Sequence, residues 1–133
     1  DVLELPADRP RPAVATLRGA AVEVEIPADV ASAVTAIAAD RGVTSFMVVH
    51  AALAVLLARL SGTTDIAVST PIAGRGDAAF DGLVGMFVNT LVLRTEVDSS
   101  TTFTELLDAV RRTDLDAYAH ADVPFEHLVE QLN

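Results

Sequence analysis

The stretch from Ser45 to Ser61, SFMVVHAALAVLLARLS, constrains the fold most, because as a helix it is apolar around nearly its whole circumference. Thr44 predicts the N-cap of this helix, and Gly62 predicts its end. The longest uncharged stretch of the sequence, from Val43 to Ala58, is shorter than the roughly 20 apolar residues that a membrane span needs. A helix that is apolar on all sides has to be covered on all sides. The stretch therefore predicts a buried helix between the layers of a folded domain.

Three other segments carry strand patterns. Residues 20–26 alternate apolar and polar side chains, as a strand with one solvated face does. Residues 66–70 do not alternate cleanly, which is typical of a strand covered on both faces. Residues 84–94 form a long run rich in residues that favour strands. We predict one strand in each segment.

The remaining regular segments are helical. Val30, Val34 and Ile37 recur at helical spacing and predict an amphipathic surface helix that ends at Gly42. Two further helices are predicted, one over 103–118 behind a capping box of Thr102 and Glu105, and one that starts near Pro124.

The order of these elements is β, α, α, β, β, α, α, which predicts the α/β class, as a layered sandwich around a mixed sheet. Three strands make a thin sheet for four helices. We therefore expect further covering strands outside these residues. Because the chain opens with Asp1 and Val2, we also expect it to derive from a longer protein.

The composition excludes several classes of function. The 133 residues carry a formal net charge of −10, and all nine basic residues are arginine. That charge repels a nucleic-acid backbone, and the lack of lysine excludes Schiff-base chemistry and a Walker-type phosphate loop. The chain has no cysteine, so a thiol nucleophile, a disulfide and cysteine-ligated zinc are excluded. We expect neither nucleic acid nor a membrane as a partner.

The histidines are the first candidates for chemistry, because they titrate near neutral pH. His50 lies in the all-apolar helix, and we interpret it as a packed, hydrogen-bonded core or interface histidine rather than a catalytic one. His120, Asp122 and His127 have metal-ligating side chains, but a predicted helix start lies among them and no fourth ligand is evident. We predict no metal site.

Two other arrangements match known motifs only superficially. Ser69 and Asp65 with a histidine supply the residue types of a serine triad, but the GxSxG turn that exposes such a serine is absent. Residues 74–79 satisfy the relaxed dinucleotide-binding pattern, yet they precede a strand-like run instead of a full helix. What remains is Arg75, in a glycine-flanked turn just after a strand, where ligands or partner charges are often met.

Asn89 and Thr90 interrupt an otherwise apolar strand. A buried amide has to be hydrogen-bonded, because leaving it unpaired costs roughly 1 to 3 kcal/mol. Two interpretations stay open for Asn89. Its amide is either a structural bridge to a neighbouring loop or a polar group presented to a substrate channel.

Four segments, in this order, resemble the condensation domains of nonribosomal peptide synthetases. Residues 5–12, LPADRPRP, resemble the stretch that joins the two lobes of these domains, and residues 71–75, PIAGR, resemble their glycine-arginine turn. Residues 84–91, VGMFVNTL, followed by Arg94, resemble the G-x-F-V-N-T motif. Residues 120–126, HADVPFE, resemble the H-x-D-x-P-F-E motif. The match covers the front part of the C-terminal lobe.

The resemblance implies a fold like that of chloramphenicol acetyltransferase, with residues 1–19 as the interlobe connector and residues 20–133 as part of the C-terminal lobe. It implies no catalytic residue in this chain, because the active-site HHxxxDG motif of the family lies on the N-terminal lobe and does not occur in this sequence. Arg75 would pair with the aspartate of that motif across the lobe interface.

Further site residues follow from the same resemblance. Asn89, with Gly85 and Thr90 beside it, would support the tunnel between the lobes. The second motif would be structural, and its residues are His120, Asp122, Pro124, Phe125 and Glu126.

The resemblance also implies a reaction. In the parent domain an acceptor amine attacks a donor thioester, which is carried on the 4'-phosphopantetheine of a carrier protein, and an amide forms. No cofactor is bound directly. The implied partners are the missing N-terminal lobe, peptidyl or acyl carrier proteins and an adjacent adenylation module, in the cytoplasm. We expect the 133 residues to be inactive alone.

Relatives of the same fold supply the alternatives. These are a non-catalytic, partner-recruiting domain, an epimerisation or heterocyclisation domain, and a stand-alone acyltransferase. The sequence Phe87-Val88-Asn89-Thr90 favours the amide-forming domains, whose version of this motif it resembles.

Overall fold

The computed structural model describes residues 3–10, 12–74, 79 and 81–132. This part of the chain contains four helices and two strands. The helices are α1 (Ala28–Arg41), α2 (Ser45–Ser61), α3 (Phe103–Ala119) and α4 (Phe125–Leu132), and the strands are β1 (Asp65–Ile72) and β2 (Asn89–Glu96). The predicted α/β class is confirmed, and all four predicted helices are present.

Local capping signals set the helix ends where the sequence predicts them. The Thr44 hydroxyl accepts a hydrogen bond from the backbone N–H of Met47 at the start of α2, at 3.2 Å. Thr102 and Glu105 form the reciprocal capping box at the start of α3. Gly42 ends α1 in the left-handed conformation, with φ of 61°.

The two strands pair antiparallel, with Asp65 opposite Glu96 at one end and Ile72 opposite Asn89 at the other. The sheet of the described residues is therefore antiparallel rather than mixed. Burial alternates along β1, so the prediction that residues 66–70 are covered on both faces is wrong for this part of the chain. The inward residues of the sheet are Ile66, Leu91, Leu93 and Thr95.

Helices α1, α2 and α3 enclose the main core, and α3 also packs against β2. The predicted inner face of α1 is displaced by one row. Ala38 is buried and Val34 half-buried, whereas Val30 and Ile37 are 46% and 42% exposed. α1 and α2 are bent by 107° at the Gly42 turn, and the residues of α1 that pack in the core are Ala38 and the partly buried Val34. The core residues are Ala38, Met47, Val48, Ala51, Leu106, Leu107 and Val110.

One predicted strand segment and the first part of another lie outside the sheet. Residues 20–26 are exposed and form no strand, because alternation alone does not hold a strand without a neighbour to pair with, and no described strand lies beside them. The strand predicted over 84–94 begins only at Asn89, since its partner β1 ends at Ile72. The sheet therefore has two strands in the described residues instead of three.

Only one face of α2 is covered in the described part of the chain, although the sequence predicts cover on all sides. The other face carries a stripe of large apolar side chains that are between 38% and 53% exposed. No single described helix is long and apolar enough to cross a membrane, and α1 with α2 meets that test only as a sharply bent pair. The exposed α2 stripe consists of Phe46, Val49, Leu53, Leu56 and Leu60.

Candidate functional site

Asn89, the first residue of β2, uses its whole side-chain amide to hold the loop in front of α4. Its Nδ2 donates to the carbonyl oxygens of Ala121 at 3.0 Å and Val123 at 2.8 Å. Its Oδ1 accepts from the backbone N–H groups of Phe125 at 3.1 Å and Thr90 at 2.9 Å. Both N–H bonds and both acceptor positions of the amide are thus engaged. The structural bridge is observed, and it joins the G-x-F-V-N-T segment to the H-x-D-x-P-F-E segment.

Gly74, in the glycine-arginine turn, packs against the backbone of the G-x-F-V-N-T segment. It has a left-handed backbone with φ of 61°, and a Cβ built on it would lie only 1.7 Å from the carbonyl oxygen of Phe87. Any side chain at this position would therefore displace the backbone two residues before Asn89. Gly85 is close to the ring of Phe87, since a Cβ there would lie 3.3 Å from Cε2.

Three signature segments therefore meet at one end of the sheet, where Ile72 pairs with Asn89. The opposite end holds a different arrangement. There the Arg94 guanidinium donates two hydrogen bonds to Asp65, at 2.8 and 2.7 Å, and these bonds hold the pKa of the carboxyl below its usual range. Asp65 is thus occupied by Arg94 and does not form a serine triad with Ser69.

The second motif lies across the end of α3 and the start of α4. His120, at the C-cap of α3, donates from Nδ1 to the carbonyl oxygen of Asp116 at 2.9 Å, and its side chain is exposed. The carbonyl oxygen of Pro124 accepts from the N–H of His127 at 3.1 Å in the first turn of α4. Phe125 is half-buried, while Asp122 and Glu126 are exposed.

Two further sequence predictions concern ligands. Among the described residues, no group of three His, Asp or Glu side chains lies close enough together to hold a metal ion. Arg75 lies outside the described residues, so its predicted ion pair stays a prediction.

A buried polar network links α2, α3 and β2 behind the sheet. His50 Nδ1 lies 3.2 Å from Oδ2 and 3.0 Å from Oδ1 of Asp114, and its Nε2 lies 3.5 Å from the hydroxyl of Thr95. All three residues are at most 3% exposed. The interpretation of His50 as a packed, hydrogen-bonded core histidine is confirmed.

The order Thr95, His50, Asp114 is that of a nucleophile, a base and an orienting acid. A substrate carbonyl has no route to a hydroxyl that is 3% exposed on a hydrogen-bonded strand. Burial is the main effect on Asp114 and raises its pKa, while the charge of His50 acts in the opposite direction. The network is therefore structural.

Sequence reasoning singled out His50 alone among the three residues of this network and missed both Thr95 and Asp114. A signal was present, because Asp114 follows Leu107 and Val110 along the buried stripe of α3 at helical spacing. An acidic side chain on an apolar stripe indicates a buried carboxylate that needs a partner.

Four helices on an antiparallel pair of strands, with three signature segments at one end, define a protein of the chloramphenicol acetyltransferase-like α/β class. The family model described as "Condensation domain" matches residues 1–133, and the chain belongs to that family. A relative in Salinispora arenicola, described as a probable non-canonical nonribosomal peptide synthetase, CymA, is 50% identical over 131 residues. That match covers 98% of this chain and 2% of the relative, so the chain spans a small part of that protein.

Two solved structures have the same fold. The four-domain nonribosomal peptide synthetase holo-AB3403, bound to AMP and glycine, matches 97% of this chain and 10% of its own, with a TM-score of 0.92 and 29% identity. The X-domain from teicoplanin biosynthesis, which has also been solved in complex with OxyB, matches 96% of this chain and 28% of its own. Its TM-score is 0.88 at 30% identity.

Proposed function

We propose that this chain is part of the C-terminal lobe of an amide-forming condensation domain. Residues 1–19 act as the connector to an N-terminal lobe, and residues 20–133 form the lobe itself. The N-terminal lobe supplies the HHxxxDG motif, which this sequence lacks. The 133 residues alone therefore form no amide, and their role is to complete and shape the tunnel between the lobes.

The observation that carries this proposal is the convergence of three signature segments at one end of the sheet. Gly74 fits against the backbone of Phe87, and Asn89 binds the backbone on both sides of Pro124. Rigid support of this kind suits a tunnel wall, because a carrier-bound thioester and an amine react only when they are held in register.

The site residues have support roles in this proposal. Asn89 holds the tunnel wall through its bridge, and Gly85 and Thr90 pack beside it. Arg75 forms an ion pair with the aspartate of the HHxxxDG motif across the lobe interface. The substrates arrive on the 4'-phosphopantetheine arms of carrier proteins, beside an adenylation module, in the cytoplasm, and no cofactor is held by this chain.

A segment exchange tests the proposal. Residues 3–132 replace the matching segment of the Salinispora arenicola relative, which is 50% identical to this chain. The substrates are donor and acceptor carrier proteins loaded for that synthetase, and the product is the new amide. We expect the exchanged protein to form the amide and the isolated chain to form none. A folded exchange protein that forms no amide contradicts the proposal, as does amide formation by the isolated chain.

A second candidate function is a non-catalytic domain that binds a partner protein. The likeness to the X-domain from teicoplanin biosynthesis favours it, because that domain has been solved in complex with OxyB. The exchange experiment separates the two candidates, since a partner-binding lobe would fold in the exchanged protein without supporting amide formation.

A further inference from the structure

Three elements meet at the buried network behind the sheet, and each supplies one polar side chain. His50 comes from α2, Asp114 from α3 and Thr95 from β2. The side chain of His50 is 2% exposed and that of Asp114 is not exposed at all. The amide-forming role proposed above makes no use of these residues.

Asp114 depends on His50 to compensate its negative charge. The hydrogen bond from Nδ1 goes to Oδ2 at 3.2 Å, and Oδ1, which lies 3.0 Å from the same nitrogen, has no hydrogen-bond partner of its own. A buried carboxylate with a single partner is costly when it is charged, and burial raises the pKa of Asp114 accordingly. If His50 loses its charge while Asp114 stays ionised, the pair carries a buried net charge of −1.

The surroundings supply no second compensating charge among the described residues. On β2, Thr95 faces inward, while Arg94 and Glu96 lie on the exposed face of the strand. On β1, the residue opposite Thr95 is the buried apolar Ile66.

The helices packed against the pair leave it equally isolated. On α2, the aromatic neighbour of His50 is Phe46, with the ring centroids 6.1 Å apart. On α3, Asp108 binds Arg41, and Arg111 donates to the carbonyl oxygen of Gly42. These two charged groups of α3 are therefore engaged away from the pair, and Arg59, the charged residue of α2, is exposed.

We propose that His50 and Asp114 form a net-neutral buried pair that retains a proton which the unfolded chain releases, so that the packing of α2, α3 and β2 is linked to pH. An unfolded histidine releases its proton near pH 6.5. Above that pH, folding takes up one proton at this pair. The stability that this proton contributes is therefore fully present below about pH 6.5. It falls as the pH rises, until the folded pair also loses its proton.

Denaturant unfolding of the chain between pH 5 and pH 9 tests this linkage. In the wild type, the unfolding equilibrium constant should rise by up to about tenfold per pH unit above pH 6.5. The double variant His50→Gln/Asp114→Asn removes both titrating groups and should lose this slope. His127→Gln, on the exposed surface of α4, is the matched control and should keep it.

The two single variants should differ in how their stability responds to acidification. His50→Gln leaves the Asp114 carboxylate uncompensated, so this variant should be least stable above neutral pH and should recover as the carboxyl is protonated on acidification. Asp114→Asn should show no such recovery. Equal slopes in the wild type and the double variant, or a His50→Gln variant as stable as the wild type at pH 8, overturn the proposal.

A measurement on the wild type decides the matter where the variants do not fold. Nitrogen and carboxyl-carbon NMR at pH 7.5 counts the protons shared by the two ring nitrogens of His50 and the carboxyl group of Asp114. Two protons are expected for the net-neutral pair. A single proton overturns the proposal.

Discussion

The side-chain oxygen of Asn89 accepts a hydrogen bond from the backbone N–H of Phe125 at 3.1 Å, so the first residue of β2 caps the first residue of α4. A helix as short as α4 gains little from its own hydrogen bonds. It has no buried residue. Among the described helices and strands, β2 is the one with which α4 makes extensive contact. The hydrogen bonds of Asn89 are therefore a main part of what holds α4 against β2.

Replacement of Asn89 should loosen this end of the sheet. Asn89→Ala leaves two carbonyl oxygens and two N–H groups without their partners, and the half-buried site should make this cost about 2 kcal/mol in the free energy of unfolding. Asn89→Asp keeps the acceptor but faces the carbonyl oxygens of Ala121 and Val123 with a negative oxygen, so it should not restore stability.

Urea denaturation measures this effect, and Gln131→Ala on the exposed side of α4 is the control. If Asn89→Ala unfolds at the same urea concentration as the control, the bridge does not hold α4.

Three glycine-to-alanine variants should lose increasing amounts of stability and so test the close approach of Gly74 to Phe87. Gly82→Ala should be nearly neutral, because a Cβ there meets nothing within 4 Å. Gly42→Ala adds the strain of a left-handed backbone without any contact and should cost about 1 kcal/mol. Gly74→Ala adds a clash with the Phe87 carbonyl oxygen to the same strain, so it should cost more than Gly42→Ala. Melting temperatures that place Gly74→Ala level with Gly42→Ala would refute the close approach.

The features that sequence reasoning predicted are those that depend on neighbouring residues. Gly42, Thr44 and the Thr102–Glu105 box act within one helical turn, and each occupies its expected place. Val22 and Val24 alternate as a strand does, but a strand also needs a partner, and local sequence does not specify one.

The same reason explains what could be predicted of the site. The need to pair the amide of Asn89 was evident, whereas its partners come from a loop more than 30 residues away in sequence. His50 and Asp114 are 64 residues apart, so a pattern within either helix could not show that they meet.

Acidification should weaken the start of α3. Hydrogen bonds from the Thr102 backbone and then its side chain hold the pKa of Glu105 below its usual value, and the Ser100 backbone N–H does the same for Asp98. A lowered pKa gives stability that is present above the ordinary carboxyl range and is lost as the pH falls through the folded value. The melting temperature of the wild type should therefore decline more steeply below pH 4 than that of Glu105→Gln.

Two further variants complete this test. Thr102→Ala removes the N-cap and should cost about 1 kcal/mol at neutral pH. Glu130→Gln, on the exposed surface of α4, should leave the decline of the melting temperature below pH 4 unchanged. If the melting temperatures of the wild type and Glu105→Gln decline equally steeply below pH 4, the capping box contributes nothing to the pH dependence.

The exposed α2 stripe should make the isolated chain bind apolar dyes and associate. The spacing of Phe46, Val49, Leu53, Leu56 and Leu60 repeats every seven residues in steps of three and four, which gives one continuous apolar line along the helix. Continuous apolar surface of this kind marks an interaction face.

Glutamate on this line should abolish the effect without unfolding the domain, because the stripe points away from the core. Leu53→Glu/Leu56→Glu should reduce the fluorescence of a bound apolar dye several-fold and remove concentration-dependent sedimentation, while the melting temperature stays near that of the wild type. Ala36→Glu, on the exposed surface of α1, adds an acidic side chain away from the stripe and should change neither property. Dye binding that survives in the double variant would place the adhesive surface elsewhere, with α4 and its exposed Leu128 and Val129 as the next face to substitute.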